Sequence, residues 1–120
     1  MENNNLHLKC FNRFINYINK NTNLVEIKFK DNNIILIDKT YTNIKEIGWY
    51  IKDDNFTINE MIEYFFFGYD NHNSIKILSI FEYIEYWVEN CAPDLLNLLN
   101  NFGNPSCFEE LVIKMDLMGI

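Results

Sequence analysis

Leu8, Phe11, Phe14, Ile15 and Ile18 recur three or four residues apart, which predicts an amphipathic helix over about residues 5–20. Asn21-Thr22-Asn23 stops it. From Leu24 to Lys30 the period changes to two, with Val25, Ile27 and Phe29 on one face and Glu26, Lys28 and Lys30 on the other. That is the pattern of a half-buried strand. Asp31-Asn32-Asn33 is turn chemistry, because Asn and Asp tolerate left-handed backbone. Ile34–Ile37 is the returning strand. Being apolar on both faces, it is expected to be central and covered twice, or covered by a partner. Loops of Asn32-Asn33 and of Asp31-Asn32 give opposite registers, and the pattern does not choose between them. Ile47, Trp49 and Ile51 alternate and suggest a third strand, although Ile44, Ile47 and Ile51 would also suit a helix.

The remainder reads as helical. Thr57-x-x-Glu60 has the spacing of a capping box, and Phe56 with Met61 fits the accompanying hydrophobic staple. Gly68 ends that helix. Its last stretch, Tyr64-Phe65-Phe66-Phe67-Gly68-Tyr69, is apolar all round and is expected at the core, the alternative being that Phe67 and Tyr69 belong to an interface patch. A longer helix is predicted from about Ser74 to Cys91, with Pro93 forcing a break. Leu95, Leu98, Leu99 and Phe102 form the stripe of a short helix ending at Gly103. Ser106-x-x-Glu109 is a second capping-box match, opening a last helix with Phe108, Leu111, Val112 and Met115 inward. The expected fold class is therefore α+β: an N-terminal helix, a small three-stranded antiparallel meander, then four C-terminal helices packed on it.

At 120 residues, with 48% hydrophobic and 16% aromatic residues, four Gly and two Pro, the chain is expected to form a single domain, 1–120. Cys10, Cys91 and Cys107 lack the number and spacing of a disulfide framework or a zinc site, and each is expected in a helix as a small buried hydrophobe. Met1-Glu2-Asn3-Asn4-Asn5 is unlike a signal peptide, and Ile34–Ile37 and Tyr64–Tyr69 are too short to span a bilayer. The expected compartment is cytoplasmic, with no membrane partner. Heavy use of Asn, Ile and Lys points to the AT-rich codons of a low-GC bacterial or phage genome.

Charge changes the picture. Residues 1–52 hold eight basic and five acidic side chains, net +3, whereas residues 53–120 hold two basic and twelve acidic, net −10. A fold does not need that segregation, which raises self-repulsion in the C-terminal part. It makes sense if that part meets something positive.

Two helical segments echo each other. Residues 60–66 read Glu-Met-Ile-Glu-Tyr-Phe-Phe and residues 82–88 read Glu-Tyr-Ile-Glu-Tyr-Trp-Val. At about 100° per residue, Glu82, Glu85, Tyr86 and Glu89 share one arc, opposite Ile77, Ile80, Phe81, Ile84, Trp87 and Val88. The same wheel groups Glu60, Glu63, Tyr64 and Phe67 away from Ile58, Ile62, Phe65 and Phe66. Like-charged pairs such as Glu82–Glu85 and Glu85–Glu89 cost on the order of 0.2–0.5 kcal/mol each, and no Lys or Arg lies between Lys76 and Lys114 to relieve them. The candidate partner-binding residues are therefore Glu60, Glu63, Tyr64, Glu82, Glu85, Tyr86 and Glu89. Their carboxylates suit steering toward a basic surface, and tyrosines supply anchoring area at low entropic cost. The plain alternative is an acidic protein that happens to expose glutamates.

Catalytic chemistry is poorly represented. The chain has two histidines, His7 and His72. Asp70-Asn71-His72-Asn73 reads as an inter-helix loop, and Asp53-Asp54 as negative charge before a helix start. There is no glycine-rich phosphate loop, nucleophile elbow or metalloprotease helix motif. No enzyme activity, cofactor or metal is expected. With −7 overall the chain would repel phosphate, so no nucleic acid is expected either. In its acidity, size and Glu/Tyr-rich helices the chain resembles, as a type, the immunity proteins of nuclease bacteriocins and contact-dependent toxins, although no family motif spans any stretch. The resemblance implies a basic protein partner, a toxin or nuclease, that the chain neutralises. The alternatives are a phage-encoded inhibitor of a host nuclease or defence complex, and a structural adaptor forming a homodimer through Ile34–Ile37 or Phe65–Tyr69.

Overall fold

The computed structural model describes residues 3–30, 33–39, 45–49, 57–70, 76–83 and 92–120. In chain order the elements are α1 (Asn3–Asn21), β1 (Val25–Lys30), β2 (Asn33–Asp38), β3 (Lys45–Trp49), α2 (Ile58–Phe67), β4 (Tyr69–Asp70), β5 (Lys76–Ile77), α3 (Ile80–Tyr83), α4 (Ala92–Asn100) and α5 (Phe108–Met118). The class is α+β.

β1, β2 and β3 form an antiparallel sheet in that order. Lys30 pairs with Asn33, the register that corresponds to an Asp31-Asn32 loop, and Ile34 pairs with Trp49. This register sends Val25, Ile27, Ile34 and Leu36 into the main apolar cluster. Ile35 and Ile37 point to the opposite face and are also buried. β2 is thus paired on both edges and covered on both faces within the chain, so Ile34–Ile37 presents no surface to a second copy. The outer edge of β1 is closed by a side chain. Asn19 of α1 donates from Nδ2 to the Ile27 carbonyl (3.0 Å) and accepts the Ile27 N–H at Oδ1 (2.9 Å). One amide stands in for a neighbouring strand and blunts an edge that would otherwise recruit one.

α1 is the hub of the packing, in contact with β1, α2, α4 and α5. Of the expected stripe Phe11, Phe14 and Ile18 are fully buried, joined by Cys10, whereas Ile15 is partly buried and Leu8, a turn nearer the start of the helix, is corrected to an exposed position. Phe14 touches four other rings, those of Phe65, Phe66, Phe81 and Phe102, with centroids 5.1–6.0 Å apart. α4 contributes Leu95 and Leu99, and α5 contributes Leu111 and Met115. α5 closes in a Schellman motif: Gly119, at φ 74°, donates to the Asp116 carbonyl, and Ile120 donates to that of Met115. No basic residue occupies the last turn of α5. Arg13 of α1 supplies that charge from outside, donating from Nε to the Ile120 carbonyl (3.0 Å) and from Nη2 to Asp116 Oδ1 (2.8 Å).

The helix expected from Ser74 is corrected. Lys76–Ile77 is instead a strand, paired antiparallel with Tyr69–Asp70 as a two-stranded ribbon, and the helix opens at Ile80. Ser79 sets that start, because its hydroxyl accepts the Glu82 N–H while the Glu82 carboxylate accepts the Ser79 N–H, both at 3.2 Å. Residues 84–91 lie outside the described residues, and with them Cys91 and the end of the expected helix. Phe56 and Ile51 lie outside as well.

Three further expectations are corrected at α5 and α2. The N-cap of α5 is Cys107, which is exposed rather than a buried helical residue. The cap partners shift by one, so Glu110, not Glu109, accepts the Ser106 N–H (2.9 Å). Ile58, expected inward, is 48% exposed. As the first residue of α2 its side chain leans toward the N-terminus, beyond the buried surface, and Met61 fills the inward position instead.

The junction of α2 with the ribbon is tight. Gly68 adopts φ 78°, and a Cβ there would stand 2.9 Å from the Ile77 carbonyl oxygen. Gly68→Ala is expected to lower stability by about 1–3 kcal/mol. A urea midpoint equal to that of the wild type would show that this backbone approach is looser than described.

Candidate functional site

α2 carries the acidic strip. Its start is fixed by the capping box foreseen from the sequence. Thr57 Oγ1 accepts the Glu60 N–H and Glu60 Oε1 accepts the Thr57 N–H, both at 3.1 Å. Met61, Ile62, Phe65 and Phe66 are buried, so the other side of the helix turns outward with Glu63 exposed and Glu60, Tyr64 and Phe67 half-buried. Glu60, Tyr64 and Gly68 follow one another at four-residue spacing, a row of about 12 Å at 1.5 Å per residue. At the far end of that row stands the Glu82 carboxylate, whose Oε1 is 3.2 Å from where a Cβ on Gly68 would lie. The fold therefore brings Glu82, from α3, to the end of the α2 row formed by Glu60 and Tyr64, with Glu63 on the same outward side of α2. Glu85, Tyr86 and Glu89 lie outside the described residues.

The echo between the two segments has a local cause at its first position. Glu60 and Glu82 are each the third helical residue after a hydroxyl cap, Thr57 or Ser79, and each closes a capping box. These two carboxylates do structural work in addition to any docking, whereas Glu63 makes no such contact. Ser79-x-x-Glu82 is itself a capping-box signature and could have placed the start of α3 from sequence.

Among the described residues no basic side chain neutralises the strip. Among the described residues the ion pair is Arg13 with Asp116, and none of Glu60, Glu63 and Glu82 has a Lys or Arg partner. Tyr64 lies under the strip's influence. Desolvation, then the charge of Glu60, the neighbouring Tyr69 and the charge of Glu63, raise its phenol above the usual 10.0. Its ring lies 4.6 Å from that of Tyr69.

The strip continues into an aromatic seam that the sequence pattern did not reveal. Phe67 meets Phe108 of α5 edge-on at 4.9 Å, and Phe108 meets His7 of α1 at 4.4 Å. Nδ1 of His7 is buried there and has no hydrogen-bond partner. The exposed Glu109 and Glu110 follow Phe108, so the start of α5 adds carboxylates beside the end of α2. The Ser106 N–H, then its hydroxyl, hold the Glu110 carboxyl below its ordinary 4.5, with Lys114 adding a smaller pull. The native carboxyl thus releases its proton at lower pH than the unfolded one. Its stabilising contribution is full above 4.5 and is lost as pH falls through the lower native value. The stability gap between wild type and Glu110→Gln is therefore expected to close on acidification from pH 6 to pH 3, read by urea denaturation; a constant gap would contradict the Ser106 contact.

Two of the cavities lined by described residues lie elsewhere. One of about 390 Å³ is lined by Arg13, Asn16, Tyr17, Lys20, Asn21, Gly119 and Ile120. α1 and α5 both end there, and Arg13 is committed to the Ile120 carbonyl and to Asp116. The other, about 290 Å³, is lined by Phe81, Leu99, Asn100, Gly103 and Asn104. Neither lining contains a nucleophile beside a base. The Cys10 thiol is pushed up by burial, against the opposing pull of Arg13, which suits a packing role. Among the described residues no group of three His, Cys, Asp or Glu side chains could hold a metal, and no helix is long and apolar enough to cross a membrane. Asp70 is exposed on β4, while His72 and Asp53-Asp54 lie outside the described residues.

Comparison with known protein families, curated proteins and solved structures finds no match.

Proposed function

We propose that this chain is a small acidic cytoplasmic binding protein that neutralises a basic enzyme, an immunity protein acting on a cognate nuclease toxin. The observation that carries the reading is the α2 strip: Glu60, Glu63 and Tyr64 on the outward side of α2, with Glu82 of α3 at its end, and no Lys or Arg paired with these carboxylates among the described residues. A nuclease attracts nucleic acid with exposed Lys and Arg, and an acidic inhibitor exploits the same field. The carboxylates raise the encounter rate, and Tyr64 with Phe67 gives the contact area that holds the complex. The protein contributes no chemistry of its own in this role, only occupancy of the target's cationic surface.

Affinity capture from the source organism's lysate, with the immobilised chain as bait, tests the reading. A basic nuclease is expected in the eluate, and its activity should fall to background when one equivalent of the chain is added. A capture pattern free of basic proteins, or a captured nuclease that stays active when saturated, would refute it. Whether the captured enzyme is a secreted toxin or a host nuclease separates an immunity protein from a phage-encoded blocker.

A further inference from the structure

α1 carries a stripe opposite in sign to the strip on α2. The helix holds Lys9, Arg13 and Lys20 and no carboxylate. At about 100° per residue these cations fall within an arc of about 40°. Lys9 and Arg13, one turn apart, repel each other. Among the described residues the stripe is met by one carboxylate, Asp116, on Arg13. Lys9 and Lys20 are exposed. The cavity of about 390 Å³ opens beside Arg13 and Lys20, where α1 and α5 end, and it is large enough for a small ligand.

What the lining leaves unused is donors. Arg13 spends Nε and Nη2 on the Ile120 carbonyl and Asp116. Those contacts fix the plane of the guanidinium and leave both N–H groups of Nη1 without a partner among the described residues. The Lys20 ammonium and the Asn16 amide line the same cavity, are exposed, and have no partner among the described residues either. Asn21, by contrast, donates its Nδ2 to the Tyr17 carbonyl. Tyr17 and Ile120 supply the apolar part of the lining, and none of the described lining residues is acidic.

We propose that this cavity binds a small organic carboxylate, its head group taken by Arg13 Nη1, Lys20 and Asn16 and its apolar body laid against Tyr17 and Ile120. The proposal goes beyond the α2 reading, because no residue of the α2 strip lines the cavity. Charge and hydrogen bonding select the class. A cationic ligand would face Arg13 and Lys20 and leave the free donors unmet. A doubly charged phosphate would find the same donors, but the net charge of −7 opposes its second charge. So do the carbonyl ends of α1 and α5, each equivalent to roughly half a negative charge. A singly charged carboxylate takes the donors with the least of that repulsion.

The test titrates phenylacetate into the isotope-labelled full chain and follows amide chemical shifts. Saturable shifts centred on residues 13–21 and 119–120 are expected. Asn16→Asp with Lys20→Gln should weaken binding about tenfold or more. Both side chains are exposed, so the melting temperature should not move. If it does move, Lys20→Gln alone provides the comparison. Phenethylammonium, with the same ring and the opposite charge, should not bind, and phenyl phosphate should bind more weakly than phenylacetate. The proposal is overturned by the absence of saturable shifts, by shifts centred on other elements, or by equal binding of phenethylammonium. It is also overturned if the variant that keeps the wild-type melting temperature binds phenylacetate as tightly as the wild type, or if phenyl phosphate is the tighter ligand.

Discussion

Phe14→Ala is expected to lower folding stability by about 3–5 kcal/mol, the usual cost of removing a buried phenylalanine. Phe14 is fully buried and contacts rings from α2, α3 and the residues just after α4. Truncating it empties the point where α1 holds those segments together. Phe65, Phe66 and Phe102 are themselves fully buried, so the cavity is poorly refilled. Against a total of about 5–15 kcal/mol for a domain, the variant should be marginal at room temperature, with a urea midpoint far below that of the wild type. The contrast is Ile113→Ser, at an exposed position, which should stay within about 0.5 kcal/mol. Equal midpoints for the two variants would mean that the aromatic cluster around α1 is not the core.

The second large effect concerns binding rather than folding, and the capping boxes dictate how to probe it. Replacing Glu60 or Glu82 by Lys would remove charge and cap together, confounding affinity with stability. Gln at the same position keeps the acceptor for the Thr57 or Ser79 N–H and removes only the charge. Glu63 makes no capping contact, so reversal there is clean. The combined variant Glu60→Gln, Glu63→Lys, Glu82→Gln changes the net charge by +4, from −7 to −3. It is expected to keep the wild-type melting temperature while the association rate with a basic nuclease target falls on the order of tenfold or more at low salt. The dissociation rate should move less, because steering acts on encounter. Unchanged association in a folded variant would place the docking face elsewhere on the molecule.

The parts of this fold that could be read from sequence are those with local causes. The three-and-four spacing of Phe11, Phe14 and Ile18 defines the inward stripe of α1, and the alternation of Val25 and Ile27 sets the inward face of β1. Thr57-x-x-Glu60 marks the start of α2 by its spacing alone. Where the reading failed, tertiary pairing or a one-residue slip decided the outcome. Lys76–Ile77 is too short to show alternation, and Ile77 happens to extend the apolar stripe of Ile80 and Phe81. A strand that exists only because it pairs with Tyr69–Asp70 was therefore absorbed into a helix. At α5, Ser106 and Cys107 can both precede the first turn, and the choice of Cys107 passes the cap contact from Glu109 to Glu110. The candidate site divides in the same way. The shared arc of Glu60, Glu63 and Tyr64 is a property of one helix and was visible. The approach of Glu82 to Gly68, and the Phe67–Phe108–His7 seam, depend on elements distant in sequence and were not.

The central claim is that the carboxylates along α2 and at the start of α3 serve to meet a cationic protein. Stopped-flow association of the wild-type chain with its captured basic target, measured across a series of salt concentrations, tests it most directly. The account predicts a rate that falls steeply as salt rises, with the Glu60→Gln, Glu63→Lys, Glu82→Gln variant slower at low salt and converging on the wild type at high salt. Rates that are independent of salt and identical in the two proteins would contradict it.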